Sequence, residues 1–293
     1  MLSFIICILI LGIISIFIEI LFYAIKHKVG LGVKNNFLGM IIGFITDFLD
    51  TLGIGSFETT PALYHLMHYL DNDNDLPGTL NIVHSIACMI EALFFVTTVK
   101  VQVKTLVLMV VAAIIGSVIG SEIVVRLETV IIQRIMSAAL VITSILMLIN
   151  KLGWVSILSS NNEAIGLHGW YLIIGIIGNF ILGIFMSAGI GLYAPCMIMV
   201  YFLGLKPIAA FPIMMLSCAL LMPVVSTNFI RHGKNFSLKG IYGFIFGSVV
   251  GVLFAAIFVK SLSFGVLEYM IIIVCLWTAY QLYRSSVINK KVQ

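Results

Sequence analysis

Five carboxylates, Asp47, Asp50, Glu58, Glu91 and Glu122, fall within or beside long apolar stretches in the first half of the chain. An ionised acid at the centre of a membrane helix costs about 2.5–3.5 kcal/mol. Five would cost roughly 12–17 kcal/mol if all faced lipid, so most must face a cavity, a partner or an interface. Acids in such surroundings can carry protons, which makes Asp47, Asp50, Glu58 and Glu91 candidates for proton coupling. Glu91 lies mid-stretch, and His84 stands seven residues earlier on the same helical face. The corresponding stretch of the second half, residues 169–286, holds only Glu268, and the first apolar stretch holds Glu19.

Two glycine-containing breaks are the other chemical signal. Gly53-Ile54-Gly55-Ser56 precedes Pro61, and Ser187-Ala188-Gly189-Ile190-Gly191 precedes Pro195. Proline suits the first helical position, where its missing N–H would be unpaired anyway; Thr59 or Thr60 could cap the first helix. The apolar pieces 61–70 and 195–205 are too short to cross about 30 Å at about 1.5 Å per residue, and read as half-helices that enter and return. A helix starting inside an apolar zone presents unpaired N–H groups and the positive end of its dipole, an anion site that needs no arginine. The substrate-binding candidates are therefore Gly53, Gly55, Ser56, Thr59, Thr60, Asn81, His84, Ser187, Gly189, Gly191, Tyr193 and Cys218.

Other chemistries are weaker. His65 and His68, at i and i+3 and followed by Asp71, Asp73 and Asp75, could meet a metal, but Leu76 and Ile82 stand where a calcium loop needs glycine and glutamate. No metal ligand set and no cofactor is expected. HExxH is absent, and Phe185-Met186-Ser187-Ala188-Gly189 half-matches an intramembrane protease pattern with phenylalanine in place of glycine, so no enzyme is expected. Cys7, Cys88, Cys196, Cys218 and Cys275 sit in apolar segments without a CxxC pair and read as free thiols packed as small hydrophobes.

The elements that must position these groups are helices in a bilayer. Of 293 residues, 61% are hydrophobic and 10% charged, with a mean hydropathy of +1.19; soluble domains run about 45–50% apolar and about 25% charged. A soluble enzyme, a nucleic-acid-binding domain and a disordered regulator are excluded. The fold class is an all-α polytopic membrane protein of about nine transmembrane helices, near 2–25, 36–57, 77–99, 104–125, 129–149, 170–192, 207–229, 239–260 and 265–284. The first stretch is too long for a signal h-region and lacks a basic start, so it reads as a retained helix. This count puts Lys26, Lys28, Lys34, Lys100, Lys104, Lys151, Arg231, Lys234, Lys239, Arg284, Lys290 and Lys291 on one side, against Arg126, Arg134, Lys206 and Lys260. The richer side is cytoplasmic, with the amino terminus outside and the carboxyl terminus inside.

Residues 35–149 resemble 169–286 at an offset of about 134–135, with Lys104 over Lys239 and Gly116 over Gly251. The expected divisions are 1–34 (an extra helix and cytoplasmic turn), 35–150 (first repeat), 151–168 (cytoplasmic linker), 169–286 (second repeat) and 287–293 (cytoplasmic tail). Four crossings per unit would give both repeats one orientation, related by a pseudo-twofold axis along the membrane normal. Gly116/Gly120 and Gly243/Gly247/Gly251 read as close helix packing.

A glycine break, a proline, a second apolar helix, a short basic turn and a glycine-spaced helix, occurring twice, resemble the TauE/SafE family of membrane transporters. The carriers are Gly53-Ile54-Gly55-Ser56 with Pro61 and Gly189-Ile190-Gly191 with Pro195, over about 35–286. The resemblance implies a secondary transporter in the cytoplasmic membrane that exports sulfite or an organosulfonate. The expected partners are a small anionic substrate, the lipid bilayer and protons, with no nucleic acid; the oligomeric state stays open. The alternative is a metal or other cation transporter using the intramembrane Asp, Glu and His residues.

Overall fold

In the computed structural model, which describes residues 2–29, 32–154, 162–206, 209–258 and 265–292, the apolar stretches form helices. They are α1 (Leu2–His27), α2 (Val33–Thr51), α3 (Ser56–Leu66), α4 (Leu76–Thr98), α5 (Val103–Val124), α6 (Thr129–Lys151), α7 (Gly169–Ser187), α8 (Tyr193–Phe202), α9 (Ala210–His232), α10 (Ile241–Phe258) and α11 (Gly265–Val292). The β-structure among the described residues is one isolated bridge, Ala164 to Leu205. Among the described residues six helices, α1, α4, α5, α6, α7 and α9, are long and apolar enough to cross a membrane. With Phe22, Val33, Trp170 and Ile257 exposed as well, the protein is membrane-embedded and helical.

Helix ends follow the sequence reading to within about three residues except at the breaks and in α11, which runs on to Val292, past the expected end at 284 and through the expected tail. α2 stops at Thr51 and α7 at Ser187, because Gly53 (φ +94°) and Gly189 (φ +88°) take the left-handed conformation that closes a helix. The bonds match in both: Gly53 and Ile54 N–H donate to Asp50 and Leu49 carbonyls, and Gly189 and Ile190 N–H to Met186 and Phe185 carbonyls. The short helices then begin earlier than expected. α3 starts at Ser56 with Pro61 inside it, and Pro195 is the third residue of α8, so neither proline is at the first helical position.

Contacts fix the directions of the helices. α2 lies parallel to α10 (Gly39 by Gly240, Gly43 by Ser248, Gly251 by Phe44), and α5 parallel to α7 (Gly116 by Phe180, Gly120 by Ile184). A Cβ on Gly116, Gly183, Gly243 or Gly247 would strike a backbone carbonyl of the neighbouring helix, as the packing reading required. α4 and α9 are antiparallel: Gly78 N–H donates to Asn235 O (2.9 Å) at one end, and Phe95 stacks on Phe211 near the other. α6 and α11 are antiparallel too, with Gln133 by Asn289 and Lys151 over Tyr269.

These directions overturn part of the sequence reading. Tyr69 Oη donates to the carbonyls of Asn35 (3.2 Å) and Lys239 (2.7 Å), so the chain after α3 is back at the start of α2. Lys206 N–H donates to Ala164 O (2.8 Å), and Asn162 Nδ2 donates to Tyr201 O (2.7 Å), bringing the chain after α8 back to the start of α7. α2–α3 and α7–α8 are hairpins that return to their own end of the bundle, while α1, α4–α6 and α9–α11 each run between its ends. Four crossings per unit and nine in all are thereby corrected, as is an axis along the membrane normal, which would make α4 and α9 parallel. Lys100, Lys104, Lys151 and the described residues 162–168 lie at the end opposite Lys26, and Arg126 and Arg134 lie at the Lys26 end.

Candidate functional site

The tips of the two hairpins meet in the middle of the bundle. A cavity of about 20 Å³ lies there, lined by Asp50, Ser56 and Glu58 of the first hairpin and by Gly191 and Tyr193 of the second. Cys88 of α4 and Cys218 of α9 close its side. Both short helices therefore begin at one interior point and run from it toward opposite ends of the bundle.

At the first tip, Asp50 caps α3 in place of Thr59 or Thr60. Ser56 N–H donates to Asp50 Oδ1 (2.9 Å) and Ser56 Oγ to Oδ2 (3.0 Å), joining the end of α2 to the start of α3. Thr59 Oγ1 turns back to the carbonyls of Gly55 and Ser56. Glu58, 2% exposed, leaves both carboxylate oxygens without a hydrogen-bond partner, and Tyr193 Oη is likewise buried and unpartnered. Gly53 backs onto the Tyr193 hydroxyl.

Behind the tip runs a buried polar chain. His84 Nδ1 lies 2.9 Å from Asp47 Oδ1, and Nε2 lies 2.9 Å from Thr60 Oγ1. Ser248 Oγ donates to Asp47 Oδ2 (2.7 Å) and Thr46 Oγ1 to the same oxygen (3.3 Å). With Nδ1 donating to the carboxylate, a neutral ring accepts from Thr60 through Nε2. The chain ties α2, α3, α4 and α10 together. Asp47 is thus held by side chains from α2, α4 and α10. Glu91 is separate from His84: Thr51 Oγ1 donates to Glu91 Oε1 (2.6 Å), and its other oxygen has no partner.

Several sequence candidates lie elsewhere. Ser187 Oγ donates to Ser117 O (2.9 Å) in the α5–α7 contact, and Gly189 faces Met136 and Leu80. Asn81 Nδ2 donates to Pro77 O (2.8 Å) and Met186 O (3.3 Å), bridging α4 to the end of α7. Glu122 pairs with Arg126 at an exposed position, and His65 lies 3.4 Å from Asp73. Among the described residues no group of three or more His, Cys, Asp or Glu side chains is arranged to hold a metal ion. Gly53, Gly55, Ser56, Gly191, Tyr193, Cys218, Asp50 and Glu58 come together; Asp47, Thr60, His84 and Glu91 stand just behind them.

Thr51, Ser248 and Cys88 belong to the site and escaped the sequence reading. Small polar residues in apolar helices are common, and only the α2–α10 packing brings Ser248 to Asp47. Comparison of the chain with family models, with curated proteins and with solved structures gives no match.

Proposed function

We propose that this protein is a secondary transporter that exports a small anion, of the sulfite or organosulfonate class, across the cytoplasmic membrane. The observation that carries the reading is the convergence of two short-helix N-termini on one interior cavity, from hairpins that enter from opposite ends. Such broken helices serve anionic groups near the bilayer midplane in transporters built from inverted repeats. The exchanged packing supports two such repeats: α2 with α10 corresponds to α7 with α5, and α3 with α11 to α8 with α6, while α4–α9 and α6–α11 pair equivalents. α1 lies outside this scheme, against α4 and α9.

The reading gives seven crossings and two re-entrant hairpins. Lys26, Lys28, Lys34, Arg126, Arg134, Arg231, Lys234, Lys239, Arg284, Lys290 and Lys291 gather at one end, against Lys100, Lys104, Lys151 and Lys206; Lys260 lies outside the described residues. That bias keeps the carboxyl terminus cytoplasmic and the amino terminus outside. Lys151 and residues 162–168 then lie outside. The resemblance to the TauE/SafE family supports the substrate class, and the buried acids Asp47, Asp50, Glu58 and Glu91 support proton coupling.

The test is flux into proteoliposomes of sulfite, sulfoacetate, a taurine-like sulfonate and divalent metals, at two pH values. Saturable flux of a sulfur oxyanion or sulfonate that responds to a pH gradient, with the response lost in Glu91→Gln, is the expected result. Metal flux, lost on His65→Ala with His68→Ala, would replace the reading with a cation transporter. No anion flux would sink it.

A further inference from the structure

We propose that the Glu58 carboxylate is a tethered occupant of the anion site, filling from within the chain the space that a transported anion must take. The identity of what displaces it rests on the anion-transport reading; the position of the carboxylate does not.

Glu58 is the third residue of α3, and its side chain folds back over the tip of its own helix. A Cβ on Gly55 would run into the carboxylate, and so would a Cβ on Gly191. The first contact lies within the first turn of its own helix, where an acid at the third position commonly folds back toward the helix start. The second contact belongs to the other hairpin, at the threshold of α8, and local capping does not call for it. One carboxylate thus serves two helix starts, where unpaired N–H groups and the positive dipole ends favour negative charge.

Three further observations point the same way. Neither Glu58 oxygen accepts a hydrogen bond, so no side-chain bond must break for it to leave. The other acid at the tip, Asp50, is held by Ser56 through both oxygens. The third residue of α8 is Pro195, so the second unit brings no carboxylate of its own. The remaining cavity, about 20 Å³, has room for about one water. Sulfite, a sulfonate head or a carboxylate fits there only when Glu58 withdraws, and the unpartnered Tyr193 hydroxyl is then a donor for the incoming oxygens. The ligand class follows: a single anionic head of about carboxylate size, with formate and acetate as the smallest members.

The experiment is thermal unfolding of the purified full-length protein in detergent, titrated with sodium formate, acetate or sulfite at constant ionic strength made up with chloride. A ligand that binds the folded state raises the midpoint in a saturable way. Glu58→Ala, or Glu58→Ser if alanine does not accumulate, is expected to bind these anions at least tenfold more tightly than the parent. Gly191→Ala is expected to lower the midpoint of the parent and to do so much less in the Glu58→Ala background. Absence of saturable stabilisation in the Glu58 variants overturns the proposal, even if the parent transports sulfite. So does an equal Gly191→Ala penalty in both backgrounds. Tight formate binding by Glu58→Ala without anion flux in proteoliposomes would leave the tethered occupant standing and remove only the transport reading.

Discussion

Asp47 and His84 meet at 2.9 Å in the interior, one on α2 and the other on α4, with no solvent at either. The pair carries hydroxyls on both flanks, Ser248 on the carboxylate and Thr60 on the ring. Its members come from the α2–α3 hairpin and from α4, so the pair anchors the hairpin to the bundle.

Truncating one partner leaves the other buried and under-satisfied. His84→Ala is expected to lower stability by about 3 kcal/mol, and Ser248→Ala by about 1 kcal/mol. Chemical unfolding in detergent measures both. A double-mutant cycle of His84→Ala with Asp47→Ala should show coupling above about 1 kcal/mol; additive losses would mean that the two side chains do not depend on each other.

The hairpins make a topological prediction. Asp71, after α3, and Lys206, after α8, lie at opposite ends of the bundle. With the exposed Cys7 replaced by serine, a membrane-impermeant maleimide should label Lys206→Cys in intact cells and Asp71→Cys only after permeabilisation. Labelling of both from one side would restore units of a single orientation.

Close helix contact predicts intolerance of bulk. A side chain at Gly247 would meet the Met40 carbonyl, so Gly247→Leu should cost roughly 1–3 kcal/mol. Val250→Leu, on the exposed side of the same helix, should be near neutral. Comparison of the two unfolding midpoints decides it.

Gly53 and Gly189 hold the same left-handed turn in the two hairpins. Gly53→Ala and Gly189→Ala should each cost about 1–2 kcal/mol, the penalty for an L side chain in that region. Gly53→Ala also crowds the Tyr193 hydroxyl, 3.1 Å from the new Cβ, and should be the more harmful to anion binding. Equal binding by the two variants in the formate titration would contradict this ranking.

Helix positions were legible because runs of about 20 apolar residues have few other uses, and the paired breaks were legible from glycine and proline. The direction of the short helices was not. A segment such as Ser56–Leu66 has the same hydropathy whether it continues outward or turns back, and the turn depends on the two bonds at Gly53 and on Tyr69 reaching Asn35 and Lys239. The charge bias did not expose the error, because moving Lys100, Lys104 and Lys151 across was offset by Arg126 and Arg134. At the site, Asp50, Glu58, Gly191 and Tyr193 were readable as neighbours of a break. Ser187 was readable for the same reason and faces Ser117 instead, since position along a helix does not by itself fix which neighbour a side chain meets.

If the two halves are the repeats proposed above, the return of each hairpin to its own end has a consequence for ancestry. A unit that passes through three times finishes on the far side from where it began. Copied in tandem, its duplicate must start from that far side and come out upside down, with no separate event needed to invert it. Parity alone, set by whether a glycine closes the helix at Thr51 and turns the chain back, decides whether a doubled gene yields twins or mirror-facing partners.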